Sequence, residues 1–465
     1  MSAGTVQDNA YIHEPIGSVL TKTALPLVFV MGMNGLLVVV DAVCLGFFVG
    51  ADALAAVTLM FPAIMIITAL STIIARGTSS LLTSYFSDNK IEEARAVFAG
   101  AHGLALTVCA VLILMGFMFG QPLTHLAASD AVSLAGMGHT YLLISVIFTP
   151  VLFVLSINSD ALKNEGKIEL MASMSLLMAL ANIVFNVLLI GGMGLGVAGS
   201  ALATVFAQIM ALGIVLAFRM TAETMLHPTA LLRYNLLTGW HHILALGTPQ
   251  GLNKLGVAAV CAAIILALQW AQLADYETAV AAFGITTRAI AFVFLPLLGF
   301  CFAVQSIIGS NYAAQLWKRS DTALRLAIVT ALAYCTLAQV LLTWNADLIG
   351  LLFTNDMAVV TKVQQIVLIT TALLFASGPL LIIATYFRTI GDADHAALLS
   401  LVKPYGFSLP LIFILPIIFG EVGIWLAVPV AEVLLVVLTV SVLSDTAKTR
   451  SLGWGLFKAP VHQQV

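Results

Sequence analysis

The chain has 465 residues, of which 61% are hydrophobic and only 9% are charged, and its mean hydropathy is +1.07. Soluble domains carry roughly 25% charged residues, so this composition excludes a soluble protein and indicates a membrane protein. The apolar runs have the length of helices and lack the ~10-residue alternation of membrane barrels, so an α-helical protein is predicted. The formal net charge of −3 indicates no particular partner.

The first apolar stretch, residues 25–49, contains a single carboxylate, Asp41. At ~1.5 Å per residue, a helix of this length spans a ~30 Å hydrocarbon core. A charged residue within such a helix costs at least ~2.5–3.5 kcal/mol on insertion scales, so an intramembrane carboxylate is a candidate functional group. The alternative is that Asp41 lies near the helix end, where it is hydrated or hydrogen-bonded to a neighbouring helix.

Further apolar stretches predict an all-α polytopic membrane protein with twelve transmembrane helices. The predicted spans are residues 25–49, 54–80, 97–120, 134–157, 170–190, 197–220, 243–270, 278–308, 323–344, 364–387, 398–419 and 422–443. The mixed-polarity stretch 221–240 is predicted to link an N-lobe, 21–220, to a C-lobe, 241–445. Residues 1–20 and 446–465 are predicted to be polar terminal segments outside the membrane.

Lys and Arg residues concentrate in alternate loops, the property that sets membrane orientation. Lys90 and Arg95 lie between the second and third spans, and Lys163 and Lys167 lie between the fourth and fifth. The opposite loops carry almost none, Lys362 being the exception. Both termini and the 221–240 linker are therefore predicted to be cytoplasmic, in a multi-pass protein of the inner cell membrane.

Short matches recur between the two halves at a nearly constant separation. ALAAV at 53–57 resembles AVAAF at 279–283, and LLTS at 81–84 resembles IIGS at 307–310, both 226 residues apart. An even number of helices per repeat gives both halves the same topology. The two six-helix lobes are therefore predicted to be related by a pseudo-two-fold axis along the membrane normal, as in transporters with the substrate path between the halves.

Four polar side chains of the N-terminal half are predicted to reach a similar depth. Asn182 and Asn186 lie one turn apart on one face of the fifth helix, and Thr204 lies about two turns into the sixth. With Asp41 they supply the oxygen ligands that a hard cation prefers, and Asp41 could equally carry a proton. Ordinary hydrogen bonding between helices is the alternative for the two Asn and Thr204.

Several stretches resemble the multidrug and toxic compound extrusion (MATE) transporters, and the resemblance extends over residues 20–445. They are Pro26, DAVCLGFFVGADALAAV (41–57), ANIVFN (181–186), GVAGSALAT (196–204), TRAIAFVFLPLLGFCFAVQSIIGSN (287–311) and GIWLAVPVAE (423–432). The resemblance implies twelve helices in two lobes, a central cavity, and export of amphiphilic or cationic drug-like molecules in exchange for Na⁺ or H⁺. The family bends its first helix at a proline, which implies a hinge at Pro26.

In the family, the N-lobe site combines an Asp of the first helix with an Asn and usually an Asp on the fifth, and a Thr on the sixth. Asp41, Asn182 and Thr204 match this pattern, which implies a possible Na⁺ site at these three residues. Asn186 stands where a second carboxylate is common, so the coupling ion stays open between Na⁺ and H⁺.

The second half contains charged residues within its predicted spans. In another branch of the family, a Glu and an Asp form a C-lobe sodium site, and Val257 and Ser377 stand at those places here. Coupling is therefore predicted in the N-lobe. Glu432 is predicted to form a structural ion pair with Lys254 or Arg288, because all three lie about three turns inside their spans.

Two lysines bear on the substrate. Lys403 is predicted near the cytoplasmic end of its helix, where its ammonium group extends towards water. If Lys254 or Lys403 instead faces the cavity, an anionic or zwitterionic substrate is favoured over a cation. Tyr141, Lys254 and Gln305 are the candidate residues of the substrate cavity.

The sequence thus predicts a secondary active exporter of multiple drugs that works by alternating access, with coupling at Asp41. We expect small-molecule and lipid partners, no nucleic acid, no cofactor besides the coupling ion, and a monomer. A flippase for a lipid-linked precursor and a dedicated exporter of a natural metabolite are the alternatives. A membrane enzyme is disfavoured because its chemistry needs an interfacial His, Asp or Glu cluster, whereas His241 and His242 have no carboxylate nearby in sequence.

Overall fold

The computed structural model describes residues 14–129, 131–221, 224–271, 275–450 and 452–458. Parts of all five predicted segments lie outside these residues: 1–13 of the N-terminal segment, 130 of the N-lobe, 222–223 of the linker, 272–274 of the C-lobe, and 451 and 459–465 of the tail.

The described residues are almost entirely helical. In chain order the helices are α1 (Ile16–Phe48), α2 (Ala51–Ser87), α3 (Ile91–Ala128), α4 (Val132–Ile147), α5 (Thr149–Asn164), α6 (Ile168–Asn186), α7 (Gly196–Thr221), α8 (Ala230–Arg233), α9 (Trp240–Trp270), α10 (Tyr276–Ala313), α11 (Trp317–Trp344), α12 (Ala346–Phe353), α13 (Met357–Thr370), α14 (Leu374–Thr389), α15 (Ala393–Val402), α16 (Leu409–Phe419) and α17 (Glu421–Arg450). Two π-helical turns, Val187–Gly192 and Lys403–Ser408, extend α6 and join α15 to α16.

Within the described residues, twelve segments are long and apolar enough to span a membrane. Ten are long and apolar enough by themselves, and the bent pairs α4–α5 and α13–α14 complete the set with bends of 49° and 52°. Eleven predicted spans lie within one of these segments and the first, 25–49, extends one residue beyond its segment, so the all-α fold with twelve transmembrane helices is confirmed. Most helices extend several residues beyond the predicted limits, because polar residues at the helix ends continue the backbone hydrogen bonding after the apolar pattern has stopped.

The bend between α4 and α5 has a local chemical cause. Pro150 has no N–H to donate to the carbonyl of Val146, so α4 cannot continue through it. The hydroxyl of Thr149 donates to that carbonyl instead, at 2.8 Å. A proline in the first turn of α5 loses nothing, because the first N–H groups of a helix have no intrahelical partner.

The bend between α13 and α14 is stabilised by a side chain of α11. The amide group of Gln339 donates to the carbonyl of Ala372 at 2.9 Å and accepts from the N–H of Phe375 at 3.0 Å. Both backbone groups lie at the break, where the helix itself cannot pair them. Within a membrane such groups must find partners inside the protein, and Gln339 provides them.

Contacts between the backbone atoms divide the chain into two compact units. Among the described residues, the first comprises 14–36, 289–349, 364–450 and 452–458, and the second comprises 37–129, 131–221, 224–271, 275–288 and 350–363. The long helices α1 and α10 contribute residues to both units. The lobe limits expected at residues 220 and 241 follow from the sequence repeat and stay a prediction.

The first unit includes a folded part of the predicted polar tail. Helix α17 continues to Arg450, and β1 (Leu452–Gly453) pairs antiparallel with β2 (Phe457–Lys458). The hydroxyl of Tyr386 donates to the carbonyl of Leu456 at 3.0 Å, which holds this hairpin against α14.

In the second unit, glycines bring α2 and α9 into backbone contact. A Cβ atom on Gly247 would lie 1.8 Å from the carbonyl oxygen of Ile73, and a Cβ atom on Gly77 would lie 1.9 Å from that of Ile243. Small residues at helix crossings are how membrane helices gain the close packing that holds them together. The crossing therefore fixes which residues of α9 face α2.

We predict that Gly247→Ala destabilises the protein, because the added methyl group must push α2 and α9 apart. Overpacking of this kind costs about 1–3 kcal/mol. The matched control is Gly213→Ala on α7, where nothing lies within 4 Å of the added Cβ atom and alanine is the better helix former. Thermal unfolding in detergent should show a lower midpoint for the first variant only. Equal midpoints for the two variants would contradict the tight crossing.

Candidate functional site

Asp41 is the carboxylate around which the site is built. It lies in α1, about two turns before the helix ends at Phe48, and its side chain is half-buried. The hydroxyl of Ser200 on α7 donates to its Oδ1 atom at 2.8 Å, and Ser200 is fully buried. Sequence reasoning missed Ser200, although it lies one turn from Thr204 on the same face of the same helix, which could have identified it.

The other three predicted residues form a hydrogen-bonded chain beside Asp41. Asn186 donates from Nδ2 to Oδ1 of Asn182 at 2.9 Å, and Asn182 donates from Nδ2 to Oγ1 of Thr204 at 3.1 Å. Both asparagines are buried, and the amide of Asn186 also interacts with the carboxyl group of Asp41. The structure thus brings Asp41, Asn182, Asn186 and Thr204 into one cluster.

One acceptor in this cluster is unsatisfied. The Oδ1 atom of Asn186 is buried and has no hydrogen-bond partner among the described residues. A buried polar atom without a partner costs about 1–3 kcal/mol. This oxygen can accept from a water molecule or contact a cation that approaches Asp41.

A guanidinium group lies close to the same carboxylate. Arg288 of α10 is buried, donates from Nη1 to the hydroxyl of Thr58 at 3.1 Å, and interacts electrostatically with Asp41 and Tyr141. The predicted pairing of Arg288 with Glu432 is wrong. The depth of a residue within its helix can be estimated from the sequence. The neighbouring helix that its side chain faces cannot.

A glycine makes room for this arginine. A Cβ atom on Gly284, one turn before Arg288, would lie 1.9 Å from the hydroxyl oxygen of Thr58 and 2.8 Å from the arginine Nη1 atom. The absence of a side chain at Gly284 therefore allows the contact between Arg288 and Thr58. With one carboxylate and one guanidinium, the charges of Asp41 and Arg288 cancel.

Lys254 belongs to a second polar group, in the same compact unit. Its ammonium group donates to the hydroxyl of Thr72 on α2 at 2.9 Å. It also interacts electrostatically with Arg76 on α2 and Asp160 on α5, and these two form an ion pair at 3.4 Å. Lys254 therefore does not pair with Glu432 either, and the prediction fails for both cations.

Glu432 has a different partner, in the first unit. Its carboxylate forms an ion pair with Lys403 and accepts from the hydroxyl of Ser377 at 2.6 Å. The expectation that Lys403 extends towards water is therefore wrong. A buried carboxylate is costly unless it is paired, and Lys403 is the cation close enough to neutralise it.

Of the remaining predicted residues, Tyr141 lies at the Asp41 cluster, and Gln305 and Pro26 lie elsewhere. Tyr141 is half-buried on α4 beside the carboxylate of Asp41 and the guanidinium of Arg288. Gln305 is half-buried on α10 in the first unit, and Pro26 lies exposed in the interior of α1. Within the described part of the chain, no three His, Cys, Asp or Glu side chains converge as ligands for a metal ion.

The sequence matches the MatE family model twice, at residues 26–188 and 258–414. The FAD transporter of Shewanella oneidensis is 27% identical over 437 residues, covering 91% of this chain and 93% of that protein. The multidrug export protein MepA of Staphylococcus aureus is 22% identical over 425 residues, covering 90% and 91%.

Solved transporters have the same fold. The MATE multidrug transporter DinF-BH, solved in complex with a ligand, superposes with a TM-score of 0.77 at 26% identity, covering 95% of this chain and 98% of that one. The inward-facing conformation of a multidrug resistance MATE family transporter gives a TM-score of 0.79 at 19% identity, covering 90% and 96%. Because the family model matches most of the chain, once in each half, this multi-pass membrane protein belongs to the MatE family of transporters.

Proposed function

We propose that the chain is a secondary active exporter of the inner cell membrane, which exchanges an amphiphilic organic substrate for an ion bound at Asp41. Membership of the MatE family and similarity to MepA, a multidrug export protein, support export. The observation that carries the coupling role is the environment of Asp41, a half-buried carboxylate held by Ser200 and Asn186 inside a membrane-spanning helix.

The coupling ion we favour is the proton. Asp41 is the single carboxylate of its cluster, and Arg288 already supplies a positive charge beside it. A site without net negative charge binds Na⁺ weakly, whereas a proton needs only an accessible carboxylate oxygen and leaves no ion to be coordinated. The unpaired Oδ1 of Asn186 is the feature that favours Na⁺ instead.

Binding of a proton at Asp41 changes the forces that hold α1. A neutral carboxyl group accepts a weaker hydrogen bond from Ser200 and loses its attraction to Arg288. Asp41 and Pro26 lie on the same helix, and Pro26 removes one of its backbone hydrogen bonds. Helix α1 can therefore bend at Pro26 when its hold at Asp41 weakens, which is the conformational step we propose for alternating access.

A dedicated exporter of a natural metabolite is the second candidate. The similarity to the FAD transporter of Shewanella oneidensis favours it, because that relative is named for the transport of one molecule and not of a range of drugs.

We predict that Asp41→Asn abolishes efflux driven by an ion gradient, because an amide neither binds a proton at neutral pH nor attracts Na⁺ with a full charge. Purified protein in liposomes would be tested with a cationic rhodamine dye and with FMN, under an imposed pH gradient and then an imposed Na⁺ gradient. Efflux by the wild type under the pH gradient alone supports proton coupling.

The matched control is Asp52→Asn, which changes the same atoms at an exposed carboxylate in the first turn of α2. It should transport as the wild type does. Gradient-driven efflux by Asp41→Asn at the wild-type rate, or a wild type that moves neither probe, would contradict the proposed function.

We further predict that Arg288→Gln moves the pH dependence of transport upwards. A neighbouring guanidinium favours the charged carboxylate, so its removal lets Asp41 hold its proton to a higher pH. Ser200→Ala should shift the pH dependence in the same direction, because it removes a hydrogen bond to the charged form of Asp41. Transport rates measured from acidic to alkaline pH would show both shifts.

The control for this series is Arg233→Gln, at an exposed arginine of α8. Its pH profile should match that of the wild type. If the pH profile of Arg288→Gln were also unshifted, Arg288 would have no part in the coupling step.

A further inference from the structure

Helix α9 presents a polar face in the middle of a membrane-spanning segment. Gln250, Asn253 and Lys254 are all exposed, and their spacing of three and four residues places them on one side of the helix. Polar side chains are costly in contact with lipid and mark water-filled paths inside membrane proteins. We therefore expect this face of α9 to border an aqueous path.

A matching polar face lies on α2. Thr68, Thr72 and Arg76 follow one another at four-residue intervals and are all half-buried. The hydroxyl of Thr72 donates to the carbonyl of Thr68 at 2.7 Å and accepts from the ammonium group of Lys254 at 2.9 Å. The hydroxyl proton is thus directed away from Lys254, and Thr72 holds the ammonium group in place as an acceptor.

The packing of the two helices fixes this arrangement. Gly247 and Gly251 of α9 both lie against Ile73 of α2, with no room for a side chain at either glycine. Thr72 precedes Ile73, and Lys254 lies one turn beyond Gly251 on α9. The position of the ammonium group relative to α2 is therefore set by backbone contact and does not depend on a flexible loop.

The local charge is positive. Arg76 and Asp160 form an ion pair at 3.4 Å, with 35% and 14% of their side chains exposed. Lys254 adds a second cation, and its hydrogen-bond acceptor Thr72 is neutral. Two cations, Lys254 and Arg76, thus face one carboxylate, that of Asp160. A structural ion pair explains Arg76, but it does not explain an exposed lysine in the middle of a membrane-spanning helix.

We infer that Lys254 and Arg76 form a subsite for an anionic group, such as a phosphate, on the molecule that the protein exports. The inference rests on the proposed function, because the polar path is a substrate path only in an exporter. An ammonium group carries three donors and a guanidinium five, so the pair can bind several oxygens of one phosphate. The substrate class is then an amphiphile with an apolar or aromatic body and a negatively charged end.

The test compares FMN with riboflavin, because the two share one ring system and side chain and differ only in the phosphate. Binding to the purified full-length chain in phosphatidylcholine nanodiscs would be followed by flavin fluorescence. We expect the wild type to bind FMN more tightly than riboflavin. Lys254→Gln should weaken FMN binding about tenfold or more, and Lys254→Arg should retain most of it.

Riboflavin binding provides the check on folding. It should change less than about twofold in Lys254→Gln, because riboflavin has no phosphate for the lysine to bind. The matched control is Lys167→Gln, which removes an exposed lysine of the same compact unit, just before α6. This variant should bind FMN as the wild type does.

Three results would overturn the inference: a wild type that binds FMN no better than riboflavin, an unchanged FMN affinity in Lys254→Gln, or a wild type whose preference for FMN is lost in nanodiscs of anionic lipid. The last result would identify a lipid headgroup as the ligand, because the headgroup would compete with the phosphate of FMN. Asp41→Asn separates the two proposals, since it should keep the preference for FMN while losing gradient-driven efflux. Loss of the preference in Lys254→Gln, with intact coupling at Asp41, would support both.

Discussion

The contact between Asp41 and Ser200 is the interaction on which the site depends. A carboxylate within a membrane-spanning helix is stable only if neighbouring helices supply donors or a counter-charge. Here α7 supplies Ser200, α6 supplies the amide of Asn186, and α10 supplies the guanidinium of Arg288. Each of these interactions favours the charged form of Asp41, so its neutralisation weakens the attachment of α1 to three helices at once.

Other buried carboxylates of the protein are also stabilised by neighbouring groups, but their partners are cations. Arg219 and Glu165 form a buried ion pair at 2.9 Å, and the arginine also donates to the carbonyl of Leu226 in the linker at 2.8 Å. Glu432 is neutralised by Lys403 and bonded by Ser377. These carboxylates have a direct cationic partner, which suits a structural role. Asp41 has a hydroxyl group in that position, which makes it the carboxylate best suited to exchange an ion.

The fold and the grouping of the four predicted site residues could be predicted from helix length and from the spacing of residues along each helix. The apolar stretches identify the twelve spans, and the helical spacing of Asn182 and Asn186 places both on the face that meets Thr204. The bend at Pro150 is equally local, because a proline affects the turn that precedes it. Ser200 could have been predicted in the same way, because it lies one turn from Thr204 on the same helix.

Contacts between helices that are distant in the sequence could not be predicted from helix length and residue spacing. The partners of Arg288, Lys254 and Glu432 depend on which helix faces which, and one sequence without related sequences does not record that. Backbone contact at Gly247 places Lys254 next to Thr72. The sequence does not distinguish a glycine that packs against another helix from one that does not. The support of the α13–α14 bend by Gln339 is hidden for the same reason.

The central claim, that a proton at Asp41 is exchanged for substrate, is tested most directly by counting the protons that substrate displaces from the protein. Calorimetric titration of the purified chain with a transported substrate, in buffers of different ionisation enthalpy, gives that number. Proton exchange at Asp41 predicts that substrate binding releases protons, up to one per substrate, from the wild type and none from Asp41→Asn. Equal release by the two proteins, or no release by the wild type, would contradict it.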